Sequence, residues 1–212
     1  MNVQTAAPSA DHASGAASTL MPPAHLRRLI LTGFMGAGKS TVGRLLAERI
    51  GWEFLDLDAY IEARTGLSVP EIFAIHGEIH FRKLESQALA SALGRKHVVI
   101  ALGGGAPEVL TNRLLLEQTP ATAVVFLDAP FPVLYDRCMM QALSSAPGDN
   151  QASPEQIRPL LADPFVAEER FARRHPIYRR LARVTIDTSS LTTEDTVSTL
   201  LARLHLPLTR SR

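Results

Sequence analysis

The stretch Leu29-Ile30-Leu31-Thr32-Gly33-Phe34-Met35-Gly36-Ala37-Gly38-Lys39-Ser40-Thr41 limits the possible folds of this chain more than any other part of it. A short apolar run leads into a glycine-rich turn, and helical spacing begins at Lys39, with Val42, Leu45, Leu46 and Ile50 three or four apart. Gly33-x-x-x-x-Gly38-Lys39-Ser40 between a strand and a helix is a phosphate-binding loop. Its glycines let successive backbone N–H groups turn inward around phosphate oxygens. The helix N-terminus adds partial positive charge. Lys39 is placed to bridge β- and γ-phosphates, and the Ser40 hydroxyl to ligate Mg²⁺. A small ATP-dependent kinase is the reading this favours. No Asn-Lys-x-Asp guanine-reading element is present, which argues against a GTPase.

The rest of the chain repeats the strand–helix alternation. Phe54 to Asp58 reads as a second strand ending in carboxylates. Ser68-Val69-Pro70-Glu71 is a capping box opening a helix to about Ile75, and a longer helix runs from about Glu78 to Leu93. His97 to Leu102 is a third strand ending in Gly103-Gly104-Gly105, and Pro107 to Glu117 is helical. Thr122 to Leu127 is a fourth strand, followed by a helix from Pro132 to about Gln141. Helix returns from Pro164 to Leu181, then come a strand at Arg183–Asp187 and a helix at Thr193–Leu204. This alternation implies an α/β fold with a parallel sheet covered on both faces, and ligands beyond the carboxyl ends of its strands. The glycine-rich loop after the first strand, the Asp56–Asp58 pair after the second and the triple glycine after the third all fall at such ends.

Composition excludes several classes. A net charge of +1 on 212 residues gives no field aimed at nucleic acid or an anionic membrane. No apolar run reaches the roughly 20 residues of a membrane span. Cys138 is the only cysteine, so no intrachain disulfide forms, and it reads as a small apolar filler. Residues 1–26 hold no Lys or Arg and are rich in Ala, Ser, Thr and Pro. They read as a disordered tail rather than a secretory signal, which needs a basic start and an apolar stretch. A cytoplasmic protein is expected.

Three clusters suggest an acceptor site. Asp56 and Asp58, two apart on the expected strand, point to one side. Like charges so close need a cation or hydrogen bonds to offset them, and Mg²⁺ beside the phosphate loop would serve. Asp128, after the apolar run Val124–Leu127, is a rival metal partner. Arg82 and Glu85 are three apart on a helix: either a surface ion pair, or a device in which Glu85 fixes Arg82 to clamp a substrate carboxylate. Spacing leaves both open. Three consecutive glycines are entropically unfavourable unless something approaches the backbone closely, and a ligand is the simplest expectation.

Taken in order, several motifs resemble shikimate kinase over residues 28–205: Gly33 to Thr41, Asp56-x-Asp58, Phe73-x-x-x-Gly77-Glu78-x-x-Phe81-Arg82-x-x-Glu85, Gly103-Gly104-Gly105, Arg158-Pro159-Leu160-Leu161 and Arg174-x-Pro176-x-Tyr178. The resemblance implies the nucleoside-monophosphate-kinase-like P-loop fold, a three-layer α/β/α domain at 27–206 with sheet order 2-3-1-4-5. It also implies a substrate-binding helical segment at about 58–94, a lid at about 138–162 and a short tail at 207–212. The implied reaction is transfer of the ATP γ-phosphoryl group to the 3-hydroxyl of shikimate, by a monomer. Gly36, Ala37, Gly38, Lys39, Ser40 and Thr41 would hold the ATP phosphates, with Mg²⁺ on Ser40 and near Asp56. Asp58 would orient the acceptor hydroxyl and take its proton. Arg82, Arg174 and the Gly103, Gly104, Gly105 loop would bind shikimate, with Glu85 behind Arg82. Arg158 would reach the phosphates and, with Lys39 and Asp58, be catalytic; Arg137 would lie near the adenine. The lid is longer than is usual for the family, with 20 residues between Arg137 and Arg158. A related sugar-acid kinase acting on gluconate and a non-catalytic ligand sensor are the alternatives.

Overall fold

The computed structural model describes residues 26–144 and 163–206. The expected lid residues 145–162, Arg158 among them, lie outside the described residues, as do 1–25 and 207–212.

The apolar run before the phosphate loop is β1 (Arg28–Thr32), buried along its whole length. It lies in the middle of a five-stranded parallel sheet with β2 (Glu53–Asp56), β3 (Val98–Ala101), β4 (Thr122–Asp128) and β5 (Val184–Asp187), in the order β2-β3-β1-β4-β5. Ile30 stands in register with Ile100 on one side and Val124 on the other. Side chains alternate along β1, so both faces need cover. Leu29 and Leu31 pack with Leu46 of α1 (Lys39–Ile50) and with Val197 and Leu200 of the C-terminal helix, Thr193–Leu204. Ile30 instead packs with Leu89 and Leu116 on the opposite face. All of these side chains are buried, and the result is the expected three-layer α/β/α arrangement.

The helices follow their sequence signals with one addition and one adjustment. The addition is α2 (Leu57–Thr65), which begins where the second strand was expected to continue. Asp56 ends β2 and caps α2 through its side chain, which accepts from the Asp58 and Ala59 N–H groups. Asp58 therefore sits in the first turn of a helix, not on a strand with Asp56. The competing principle is N-capping by an aspartate, which outweighs continuing an edge strand.

In α3 (Val69–Leu93) the capping box at Ser68 and Glu71 is formed as expected, and so is the division into two helical pieces. Gly77 breaks it with φ 78°, a left-handed conformation open to glycine, so two helical pieces meet there. The adjustment lies after β3. A 3₁₀ turn at Ala106–Glu108 precedes α4 (Leu110–Gln118), where one helix from Pro107 was expected. Then come α5 (Phe131–Ser144), α6 (Pro164–Leu181) and the C-terminal helix, α7.

Candidate active site

The loop between β1 and α1 is tightly built. Gly36 and Gly38 adopt φ 75° and 84°, a conformation that glycine takes without strain. Gly36 also lies against α5: a Cβ there would strike the Leu134 carbonyl and come within 2.9 Å of Cys138 Sγ. The Lys39 ammonium donates to the Gly33 and Phe34 carbonyls, each at 3.0 Å, and so lies across the mouth of the loop. Burial lowers its pKa, while Asp58 and Asp56 nearby pull it upward.

The Ser40 hydroxyl donates to Asp56 Oδ2 at 2.6 Å. A hydroxyl and a carboxylate in contact at a phosphate-loop helix are hard oxygen donors of the type Mg²⁺ uses with phosphate and water. Among the described residues no cluster of three or more His, Cys, Asp or Glu side chains could hold a metal alone. Such an ion would complete its shell with phosphate oxygens and water. Asp128, the rival partner, is taken: His175 Nε2 lies 3.0 Å from its Oδ2.

Asp58 faces the same space. Its Oδ1 is buried and has no hydrogen-bond partner. Burial pushes its carboxyl up to about 7, and Asp56 and Glu85 push the same way while Lys39 opposes them. A buried carboxylate oxygen without a donor is unfavourable in an empty pocket and useful where a hydroxyl is to be received.

The triple glycine answers a need different from the one expected. None of its members has positive φ. A Cβ on Gly103 would sit 2.7 Å from Asp58 Oδ1 and 3.0 Å from Glu85 Oε1, and one on Gly105 would sit 2.6 Å from Arg82 Nη1. The protein's own carboxylates and guanidinium make the close approach that the glycines permit. Arg82 donates through Nη1 to Glu85 Oε2 at 2.8 Å. Glu85 is fully buried, so this pair is no surface decoration. Burial raises the Glu85 pKa more than Arg82 lowers it. Burial of Arg82 works against its charge, but Glu85 and Glu78 more than offset that and hold its pKa high.

From the other side, α6 delivers Arg174 and Tyr178, four apart and so on one helix face. The Tyr178 hydroxyl donates to the Gly104 carbonyl at 2.6 Å and is buried. Arg174 is buried, with Nη1 3.5 Å from where a Gly104 Cβ would stand. Its Nε and Nη2 donate to Glu108 Oε2 at 2.8 and 2.7 Å. Glu108 is unmarked in the sequence, and Tyr178 stands in its motif without an evident role. The i, i+4 spacing of Arg174 and Tyr178 could have revealed the second.

Thus Asp58, Arg82, Arg174 and the glycine loop converge near Lys39, Ser40 and Asp56. Arg137 lies elsewhere, donating from Nη1 to Thr188 Oγ1 at 3.1 Å and from Nη2 to the Thr188 carbonyl at 2.5 Å, at the end of β5. That fixes its guanidinium to the loop after β5. Arg158 lies outside the described residues.

Comparison with known proteins identifies the family. The model of the shikimate kinase family matches residues 35–205. The chain is 40% identical over 193 residues to a shikimate kinase of Geobacter metallireducens, covering 90% of this chain and 98% of that one. With a shikimate kinase of Mycobacterium bovis it shares 36% over 183 residues, 85% of this chain and 94% of the other. The structure of Acinetobacter baumannii shikimate kinase in complex with shikimate superposes with a TM-score of 0.73 at 36% identity, covering 85% of this chain and 93% of that one. A gluconokinase from Sinorhizobium meliloti, at 19% identity and a TM-score of 0.51, shares the fold alone. With the family match spanning most of the chain and relatives this close over nearly their full length, the protein belongs to the shikimate kinase family.

Proposed function

We propose that the protein catalyses ATP-dependent phosphorylation of the 3-hydroxyl of shikimate, giving shikimate 3-phosphate and ADP. The observation that carries this is the facing of two half-sites. A phosphate loop with its lysine lies beside a buried, unpartnered Asp58 oxygen, and two carboxylate-held arginines close the far side. A hydroxy-acid fits between them, with its carboxylate toward Arg82 and Arg174 and a hydroxyl toward Asp58.

In the reaction the acceptor oxygen attacks the γ-phosphorus, and the bond from that phosphorus to the β–γ bridging oxygen breaks. The hydroxyl proton passes to the Asp58 carboxylate, and ADP leaves. Phosphoryl transfer of this kind depends on positioning and positive charge more than on a strong base. Backbone N–H groups from Gly36 to Thr41 and the Lys39 ammonium hold the β- and γ-phosphates, for which Lys39 gives up its loop carbonyl partners. Ser40 and Asp56 would hold Mg²⁺, which when bound would neutralise phosphate charge. Arg158 contributes further positive charge at the phosphates, as the family resemblance implies, and Arg137 borders the adenine. Glu85 keeps the Arg82 guanidinium flat against Gly105. The family resemblance supports a monomer.

A coupled assay for ADP against shikimate, quinate and gluconate tests the reading. ADP is expected with shikimate and Mg²⁺ only. Turnover of gluconate with none of shikimate refutes it.

A further inference from the structure

Each acceptor arginine is held by a carboxylate from its own protein, but the carboxylates differ in how firmly they sit. Arg82 has two. Glu85, with 1% of its side chain exposed, takes Nη1. Glu78, 66% exposed, takes Nη2 and Nε at 3.1 and 3.3 Å. The Glu78 contact is a surface pair of small worth, easily surrendered to an incoming carboxylate. Arg174 has Glu108, 22% exposed, whose other oxygen accepts from Arg173 Nε at 2.9 Å. Burial acts to raise the Glu108 pKa, but the bonds from Arg174 and Arg173 more than offset it and hold the carboxyl below the usual range. Anchored by the guanidinium of Arg174, whose side chain is only 10% exposed, Glu108 is not displaceable in the way Glu78 is, and the exposed Arg173 adds little.

The geometry tells what this anchoring does. A guanidinium is a rigid plane with five N–H donors. Pinning Nε and Nη2 on one oxygen fixes that plane, and the remaining terminal nitrogen, Nη1, then lies on the side of Gly104. Glu108 comes from the 3₁₀ turn directly after the glycine loop, so loop and arginine are set by the same short segment. We propose that Glu108 is a positioning residue for the reaction: it orients Arg174 so that Nη1 meets the substrate carboxylate, and so sets the affinity for the acceptor. This rests on the reading that the acceptor carboxylate binds Arg82 and Arg174.

The test is steady-state kinetics of the full chain with Glu108→Gln, Arg174→Ala and the double variant, with shikimate and ATP varied separately. Glu108→Gln is expected to raise KM for shikimate about tenfold, the scale of a charge-assisted hydrogen bond. The kcat, KM for ATP and melting temperature should stay near wild type. In the Arg174→Ala background the same change should add nothing. Should Arg174→Ala turn over too slowly, calorimetric Kd for shikimate provides the same comparison. An unchanged or lowered KM for shikimate overturns the proposal. So does a full effect in the absence of Arg174, or a fallen melting temperature with wild-type KM. A wild-type enzyme inactive on shikimate refutes the functional reading and this proposal together, whereas an active wild type with an indifferent Glu108→Gln refutes only this one.

Discussion

At the scale of single residues, the acceptor site is governed by carboxylates in unlike surroundings. Asp56 is committed to the Ser40 hydroxyl and the α2 N-terminus, while Asp58, two positions on, keeps one buried oxygen without a donor. Replacing Asp58 by Asn retains the shape but removes the proton acceptor. Turnover should fall by about 10² to 10⁴, the usual contribution of a positioned general base. ATP binding, followed by calorimetry, should be kept. A variant retaining more than a tenth of wild-type kcat contradicts the assignment. The raised pKa of Asp58 also has a stability consequence in the ligand-free, metal-free protein. Its carboxyl titrates near 7 when folded and near 3.8 when unfolded. The folded state thus holds the proton more tightly, and this contribution to stability is present below about pH 4 and lost as pH rises through 7. Asp58→Asn should therefore raise the melting temperature more at pH 8 than at pH 5, measured in the presence of a chelator. An equal shift at both values counts against a buried, raised Asp58.

At the scale of elements, the glycine loop after β3 works as a fitted surface rather than as a flexible hinge. From where a Cβ would stand, Gly103 has Asp58 Oδ1 at 2.7 Å and Glu85 Oε1 at 3.0 Å, and Gly105 has Arg82 Nη1 at 2.6 Å, so an added Cβ would force these side chains to shift. Gly105→Ala should push the Arg82 guanidinium off its seat. KM for shikimate should then rise by about tenfold or more, since a misplacement near 1 Å is enough for such losses. KM for ATP should be little changed; a rise confined to ATP would show that the loop serves the nucleotide instead. Helix α3 shows the same economy: Ser68 and Glu71 define its start, and Gly77 breaks it one turn before Phe81, Arg82 and Glu85. Its capping box was readable because capping needs only residues three apart. Helix α2 was not, because its first turn, Leu57-Asp58-Ala59-Tyr60, carries the apolar alternation of a strand end and depends on Asp56 acting as a cap.

At the scale of the molecule, a central parallel sheet with both faces buried sets the loop and the acceptor site in place. Leu46 of α1 is fully buried in the layer beneath the phosphate loop. Leu46→Ala should lower stability by about 2–5 kcal/mol, the range for a large-to-small change in a packed core. Denaturant unfolding checks this. A loss under about 1 kcal/mol would mean that the layer repacks around the gap. No helix among the described residues is long and apolar enough to cross a membrane.

Much of this was determined by sequence alone. The Gly33–Thr41 motif and the strand–helix alternation carried the parallel α/β class, because local spacing and backbone chemistry encode it, while the sheet order followed only from the family resemblance borne by the ordered motifs through Arg174 and Tyr178. The tertiary structure decided how charges are shared. It set Asp56 on Ser40, Asp128 on His175, Arg82 against Gly105, and Arg174 on Glu108, a residue 66 positions away in the chain. Those pairings depend on which strand ends and helix faces meet across the sheet, and a one-dimensional pattern carries no distance between such groups.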